Sequence, residues 1–225
     1  MLSEKTGFAK QTLNKIAEVA LSTQIKAQKL EVDIETNLQK ITHGDIDHIA
    51  IKINHLKMQN PLQIEMFKLD IGQVTVQPMS AIRGKIKLVH PSEGKLELEV
   101  NEDNLHEALH RKLQQKVQLK LLENGRIFFK INSMDGMKES PELTLIAIPK
   151  INSDRKTLLL ELFPLTTPSS LPPEQITHLF TTFSEILDLK NLEKSGTTLT
   201  LDQFQITSGW LHLKANAHIN KFPSS

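Results

Sequence analysis

Four runs in which apolar and polar residues alternate constrain the fold of this 225-residue chain more than any other feature. The longest run covers residues 211–219, and shorter ones cover residues 49–54, 96–100 and 117–121. Successive side chains of a strand point to opposite faces of a sheet. A period of two therefore predicts antiparallel strands, each with one buried and one solvated face.

The segment from Leu62 to Val76 changes phase twice. Its apolar residues stand at even positions up to Met66, at odd positions from Phe67 to Ile71, and at even positions again from Val74. A strand that keeps one face buried must bend or bulge at each change, and Gly72 suits the second. We therefore expect a long, strongly twisted or curled sheet.

Three segments have the spacing of amphipathic helices. The first carries an apolar stripe of Leu13, Ile16, Ala17, Ala20 and Leu21. Its residues Asn14 and Glu18 fall on the predicted solvated side. The second is short, with Asn101 as the predicted N-cap and basic residues at 110–112 in the last turn.

The third predicted helix follows Leu171 and Pro172, with Pro173 in the first helical position, where its missing N–H is tolerated. The apolar stripe of this helix comprises Ile176, Leu179, Phe180, Phe183 and Leu187. Segments 133–141 and 166–173 are rich in turn residues and are expected to be loops.

These elements predict an α+β fold: an elongated, curled antiparallel β-sheet packed against two longer amphipathic helices and one short helix. Strands on both sides of segment 166–173 have one-sided patterns that need a shared core. We therefore expect residues 1–225 to form a single domain.

Composition excludes several classes of function. The chain has 27 Lys and Arg against 26 Asp and Glu, so no global charge attracts nucleic acid. The absence of Cys excludes disulfides, thiol nucleophiles and cysteine-based metal sites. The beginning of the sequence lacks an apolar signal region, so we expect a cytoplasmic protein. Peripheral binding to the cytoplasmic face of a membrane is compatible with this expectation.

The sharpest local motif is the H-E-x-x-H pattern formed by His106, Glu107 and His110. Two histidines four residues apart on a helix can bind Zn²⁺ while the glutamate acts on a metal-bound water. A third ligand is not marked, since Leu113 and Lys116 stand where the metzincin extension needs Gly and His. We interpret the motif as a solvated helix flank, expect no metal or cofactor, and keep zinc hydrolysis as an alternative.

The remaining signal is apolar surface. A lipid tail needs hydrocarbon walls and almost no hydrogen bonds, and a curled sheet covered by amphipathic helices provides such walls. The predicted groove-lining residues are Leu13, Ile16, Ala20, Ile176, Leu179, Phe180 and Phe183. The same stripes equally suit a fully packed core, so a protein-interaction scaffold is the alternative.

Several segments resemble the LmeA-like phospholipid-binding family, and in particular its branch from photosynthetic bacteria. The strongest likeness is at Pro78–Pro91, and the opening of the chain, Leu13–Glu18 and Leu30–Ile34, is also similar. The likeness returns at Glu185–Asn191 and at Gly209–Leu213. The resemblance implies an elongated, helix-backed, curled sheet like that of tubular lipid-binding proteins. It implies non-covalent binding or transfer of phospholipid or another acyl lipid, without catalysis.

Peripheral membrane contact is expected at two segments that place apolar residues beside a cation. The candidate residues are Met79, Ile82 and Arg83 in the first segment, and Met134 and Met137 in the second. The sequence leaves the oligomeric state open.

The interpretation of the H-E-x-x-H motif is testable by elemental analysis. The purified protein should contain no stoichiometric zinc, and replacing His106 and His110 by Gln should leave its lipid content unchanged. One zinc per chain that is lost in this variant, together with a hydrolytic activity, would contradict the interpretation.

Overall fold

The computed structural model describes residues 11, 14–19, 21–22, 25–77, 87–114, 117–131, 143–163, 173–194 and 196–221. Residues 14–19 and 21–22 are helical. The other helices of the described residues are α1 (Leu38–His43), α2 (Glu102–Leu113) and α3 (Pro173–Ile186), followed by a 3₁₀ turn at Leu189–Asn191.

The strands belong to three antiparallel sheets. The largest has the order β1-β3-β4-β6-β12-β11, where these are Lys29–Glu35, His48–Lys57, Gln63–Ile71, Ser92–Asn101, Trp210–Ile219 and Thr197–Thr207. The second has the order β10-β9-β8-β7, formed by Leu158–Leu162, Leu143–Ile151, Ile127–Ile131 and Val117–Leu121. The third pairs β2 (Asp45–Ile46) with β5 (Val74–Thr75).

The prediction of antiparallel strands with an α+β composition is confirmed, but the prediction of one continuous sheet is wrong. The chain leaves the six-stranded sheet through α2 and then forms β7 to β10 as a separate meander. It returns through α3 to β11 and β12, and β12 pairs with β6 over its whole length. The elongated, curled shape and the assignment of the whole chain to one domain stay predictions.

Alternate burial is clearest in β12, where the residues at odd positions from Leu211 to Ile219 are each at most 4% exposed. The adjacent β6 and the meander strand β7 alternate in the same way. The buried rows of both sheets belong to one hydrophobic cluster, which also includes the apolar residues of α2 and α3. The period-two runs therefore predicted the buried face of these strands correctly.

The predicted phase change between Met66 and Phe67 is visible as burial, and the backbone irregularity next to it lies in the neighbouring strand β3. Ile64 and Ile71, seven positions apart, are both buried in β4. His55 of β3, which lies opposite Glu65, adopts a left-handed φ of 53°. Pairing is in the same register on both sides of it, so the expected bulge is absent there. The second change falls at Gly72 and Gln73, between β4 and β5, so it requires no distortion inside a strand.

The N-terminal helical residues protect the open edge of β1. The side chain of Asn14 accepts a hydrogen bond from the backbone N–H of Ile34 at 2.9 Å. The carboxylate of Glu18 accepts one from the N–H of Val32 at 3.3 Å. The prediction that Asn14 and Glu18 lie on the solvated side is therefore wrong, because an edge strand presents unpaired N–H groups that need partners.

Helices α2 and α3 lie between the two main sheets. Helix α2 contacts β4 and β6 of the six-stranded sheet, β7 of the meander, and α3. Its N-cap is Asn101, as predicted, whose side chain accepts from the N–H of Asn104 at 2.7 Å. Helix α3 begins at Pro173, also as predicted. At its end, the side-chain amide of Asn60 donates to the carbonyl of Ile186 at 2.9 Å.

Polar contacts join the meander to the edge strand β11. Arg155, in the turn between β9 and β10, accepts a hydrogen bond at its carbonyl from the N–H of Leu201 at 2.7 Å. Its Nε donates to the carbonyl of Leu201 at 2.9 Å. The pairing of β11 with β12 shifts register at this point, and Arg155 also reaches the Oδ1 of Asp202 at 3.2 Å. At this bulge, the backbone N–H and carbonyl of Leu201 are thus hydrogen-bonded to the meander.

Ion pairs cover the outer face of the six-stranded sheet. A hydrogen bond from the Lys29 ammonium and its charge lower the pKa of the Glu31 carboxyl, 2.6 Å away. A hydrogen bond to the Asp70 carboxylate and its charge raise the pKa of Lys68. Both groups are solvated, so such pairs keep this face wet and add little stability.

None of the helices in the described ranges combines the length and the apolar composition required to cross a membrane.

The left-handed backbone conformation of His55 can be tested with two substitutions at that position. Both His55→Val and His55→Asn remove the contact of the imidazole with Glu65 at 2.8 Å. Valine is strongly disfavoured at positive φ, whereas Asn tolerates it. His55→Val should therefore lower the free energy of unfolding by about 1–2 kcal/mol more than His55→Asn, measured in urea. Equal stabilities would contradict the assigned backbone conformation.

Candidate functional site

Two cavities lie beside helices α2 and α3 in the described part of the chain. The larger one is at the end where α2 finishes and α3 begins. Its volume is about 150 Å³. It is enclosed by the end of α2, the first residue of β7, the last residue of β8 and the first turns of α3. The lining residues are Leu113, Val117, Ile131, Glu174, Gln175, His178 and Leu179.

The cavity has an apolar floor and a polar rim. Leu113, Val117, Ile131 and Leu179 are each buried, with at most 9% of the residue exposed. Glu174, Gln175 and His178 are exposed on the first turns of α3. This arrangement follows from the helical period, since residues 175 and 179 share a face while 174 and 178 flank it. The site can therefore hold an apolar group with a polar group at the mouth.

The volume limits what can enter. A cavity of about 150 Å³ in a protein core holds a molecule the size of benzene. Pockets for drug-sized ligands span about 300–1,000 Å³. The cavity in the present conformation therefore accommodates the end of an acyl chain but not a complete phospholipid.

A second cavity separates the six-stranded sheet from the end of α3. Its volume is only about 20 Å³, which is close to the size of one water molecule. Its walls include Leu98 and Leu213 of the sheet, and Ile186 and Leu189 at the end of α3. The contact between α3 and this sheet is therefore closely packed.

The predicted groove residues on α3 do come together on one face of that helix. Phe183 is fully buried, and its ring meets that of Phe129 edge-on, with centroids 6.0 Å apart. Phe180 contacts the same ring at 6.2 Å and is half-buried. Ile176 is 8% exposed and Leu179 is 2% exposed. Only Leu179 of these four lines the larger cavity, and their role in lipid binding stays a prediction.

The predicted groove residues of the first helix lie elsewhere. Ile16 is 61% exposed, and its helix lies along β1 at the edge of the six-stranded sheet. Its neighbours Ala17 and Leu21 pack against the core. Leu13 and Ala20 lie outside the described residues. The structure thus separates Ile16 from the α3 stripe.

The predicted membrane-contact residues Met79, Ile82, Arg83, Met134 and Met137 also lie outside the described residues. Their role stays a prediction.

The H-E-x-x-H residues lie on α2, next to its buried stripe. The carboxylate of Glu107 accepts a hydrogen bond from Arg111, one turn later. His106 is half-buried and His110 is exposed. Across the described ranges, no group of three or more His, Asp or Glu side chains converges to hold a metal ion. The geometry fits the helix-flank interpretation.

Most of the cavity residues were not singled out by the sequence. Val117 begins one of the runs that predict half-buried strands, and Leu179 belongs to the predicted groove-lining residues. Their convergence with Leu113 and Ile131 depends on how α2, α3 and the β7–β8 hairpin pack. No local periodicity contains that information.

Comparison with known proteins gives one match. The model of a protein family described as LmeA-like phospholipid-binding matches residues 5–216 of the 225. No curated protein and no solved structure matches the chain significantly.

Leu179 tests whether the wall of the cavity is packed in the lipid-free protein. Leu179→Ala should lower the free energy of unfolding by about 2–5 kcal/mol, because buried contacts are lost and the site cannot fully collapse. Leu179→Met, which keeps the volume, should cost less than about 1.5 kcal/mol. Urea unfolding after delipidation measures both. A negligible loss for Leu179→Ala would mean that the side chain faces open space instead.

Proposed function

The chain belongs to the LmeA-like phospholipid-binding family, and from this premise we propose that it binds phospholipid non-covalently and carries it at a membrane surface. The family match over residues 5–216 is the single observation on which the proposal rests. In this proposal the end of one acyl chain enters the cavity between α2, α3 and the β7–β8 hairpin.

The shape of the cavity supports this mode of binding. An acyl chain gains free energy from every methylene that leaves water, at about 0.8 kcal/mol each. The floor of Leu113, Val117, Ile131 and Leu179 provides such an environment. The rim of Gln175 and His178 provides hydrogen-bonding groups where a more polar part of the lipid would leave the cavity.

Binding a longer part of the lipid requires additional space. The apolar stripe of α3 continues from Leu179 to Phe183, which packs on Phe129 of β8. We propose that the cavity lengthens along this stripe when α3 moves away from the meander. The hydrocarbon of the lipid would then replace contacts that the aromatic rings make in the lipid-free protein.

We propose that this function involves no catalysis. The H-E-x-x-H carboxylate is engaged by Arg111 on the solvated flank of α2. Among the described residues that line the cavity, His178 provides an imidazole and Glu174 a carboxylate, and both are exposed at the rim.

A second candidate function is a protein-interaction scaffold with a packed core. The observation in its favour is the close packing of α3, with Phe183 fully buried and a gap of only about 20 Å³ at its other end. A scaffold would contain no lipid after purification. A lipid carrier would contain lipid or take it up.

Native mass spectrometry of freshly purified protein, followed by lipid extraction, separates the two candidates. The proposed function predicts a mass increase equal to a phospholipid, with the same lipid in the extract. It also predicts that delipidated protein regains this mass after incubation with phosphatidylcholine vesicles. Protein that has no bound lipid and takes up none would contradict the proposal.

The position of the site can be tested at its rim, where a substitution does not disturb the core. Gln175→Trp places a large ring at the mouth of the cavity and should reduce phospholipid uptake at least about tenfold, a loss of about 1.4 kcal/mol. The control Thr181→Trp adds the same ring at an exposed position of α3 that does not line the cavity. It should leave uptake unchanged. Similar uptake by both variants, with unchanged thermal stability, would place the lipid elsewhere.

A further inference from the structure

The outer face of the four-stranded sheet carries several apolar side chains, although this face does not pack against the hydrophobic core. Phe128 of β8 and Ile146 and Ile148 of β9 point away from the buried row and are partly exposed. Leu159 of β10 is 45% exposed. None of these four side chains is among those that pack against the hydrophobic core. We call this set, together with Phe163, the meander outer face.

Cations surround this apolar patch. Lys120, Lys130 and Lys150 lie on the same face, and Arg126 stacks over the ring of Phe163, with its guanidinium carbon 3.7 Å from the ring centroid. The carboxylate on the face of these strands is Glu161, which lies 2.5 Å from the Lys150 ammonium. Leaving Lys130 aside, the described residues therefore place three cations, Lys120, Lys150 and Arg126, on this face against one acid.

The outer face of the six-stranded sheet has the opposite character. Its central residues are charged or polar, and acids meet bases in pairs such as Glu97 with Lys214 at 3.1 Å and Glu93 with His218 at 2.5 Å. Acids outnumber the lysines, with Glu93, Glu97 and Glu99 in β6 alone against Lys95. Among the described residues, the meander outer face thus combines several partly exposed apolar side chains with more cations than acids, whereas the centre of the six-stranded outer face does not.

We propose that the meander outer face is the surface by which the protein docks on an anionic phospholipid bilayer. The proposal rests on the proposed lipid-binding function, to which it adds the membrane surface that would supply or receive the lipid. Partly exposed aliphatic and aromatic side chains enter the boundary between headgroups and acyl chains. Long Lys and Arg side chains extend from the same surface toward lipid phosphates.

Charge complementarity favours this occupant over a second copy of the chain. Two copies that met through this face would bring Lys120, Lys150 and Arg126 of one near the same cations of the other, and like charges repel. A bilayer with anionic headgroups instead neutralises all of them. Arg126 can bind a phosphate while the flat face of its guanidinium stays on the ring of Phe163, because the N–H groups point outward in the plane of the guanidinium.

Matched charge changes on the two sheets test the proposal by vesicle co-sedimentation. The probe is a vesicle of equal parts phosphatidylcholine and phosphatidylglycerol, compared with phosphatidylcholine alone. Lys120→Gln with Lys150→Gln should weaken association with the anionic vesicles by roughly 25-fold, about fivefold for each cation removed. The control pair Lys52→Gln with Lys95→Gln removes the same charge from the outer face of the six-stranded sheet, and it should change association less than about twofold.

Because the chain has no cysteine, single fluorescent labels report which face meets the membrane. The fluorescence emission of an environment-sensitive dye attached to the Leu159→Cys variant should shift to the blue when anionic vesicles are added. The same dye on Thr198→Cys, an exposed position of β11, should not. A shift for Leu159→Cys that depends on protein concentration without vesicles would mean that a second copy covers this face, which would overturn the proposal.

Other outcomes also overturn the proposal. These are equal losses in the two charge variants, equal association with neutral and anionic vesicles, or no association at all. They leave the lipid-binding function standing if native mass spectrometry still finds phospholipid. Conversely, vesicle docking through the meander without any bound lipid would reject the proposed function and retain this surface.

Discussion

The fold depends on one requirement, which is that the buried rows of two sheets share two helices. Leu105, Ala108 and Leu109 of α2 are fully buried, and α2 contacts strands of both sheets. A strand that is apolar on one face needs a cover, and here the same two helices cover the inner faces of both sheets. In the described part of the chain, α2 and Phe183 of α3 fill space between the sheets, with a cavity of about 150 Å³ near the start of α3 and one of about 20 Å³ near its end.

Polar groups decide how the sheets meet. Burial alone is non-directional, whereas a buried backbone group needs a partner at a defined distance. At one end, the turn residue Arg155 binds the backbone of Leu201 in β11. At the other, the carboxylate of Glu102 accepts from the N–H of Leu121 at 2.6 Å, while the carbonyl of Gly209 accepts from the N–H of Glu102 at 2.9 Å. These contacts hold both ends of the meander against the six-stranded sheet.

Local features of this fold were predictable and its assembly was not. The alternation in β6, β7 and β12, the N-cap at Asn101 and the helix start at Pro173 each follow from short-range patterns. The division of the strands into two sheets depends on where α2 turns the chain, which no period encodes. Asn14 and Glu18 were misplaced because their partners, free N–H groups of β1, exist only once that strand is an edge. The cavity was missed for the same reason, since Leu113, Val117 and Ile131 meet only in the folded chain.

A lipid carrier with this interior must exchange protein contacts for lipid contacts. The rings of Phe129, Phe180 and Phe183 already occupy the space into which an acyl chain would extend. If only a small fraction of molecules has α3 displaced, the apparent affinity for free lipid equals the affinity of the displaced state multiplied by that fraction. The meander carries Phe129 on its inner face and the cationic apolar patch on the other, so docking and cavity opening would act on the same strands. Under the proposed function, a bilayer that binds the displaced state more strongly would raise its population where the lipid is available.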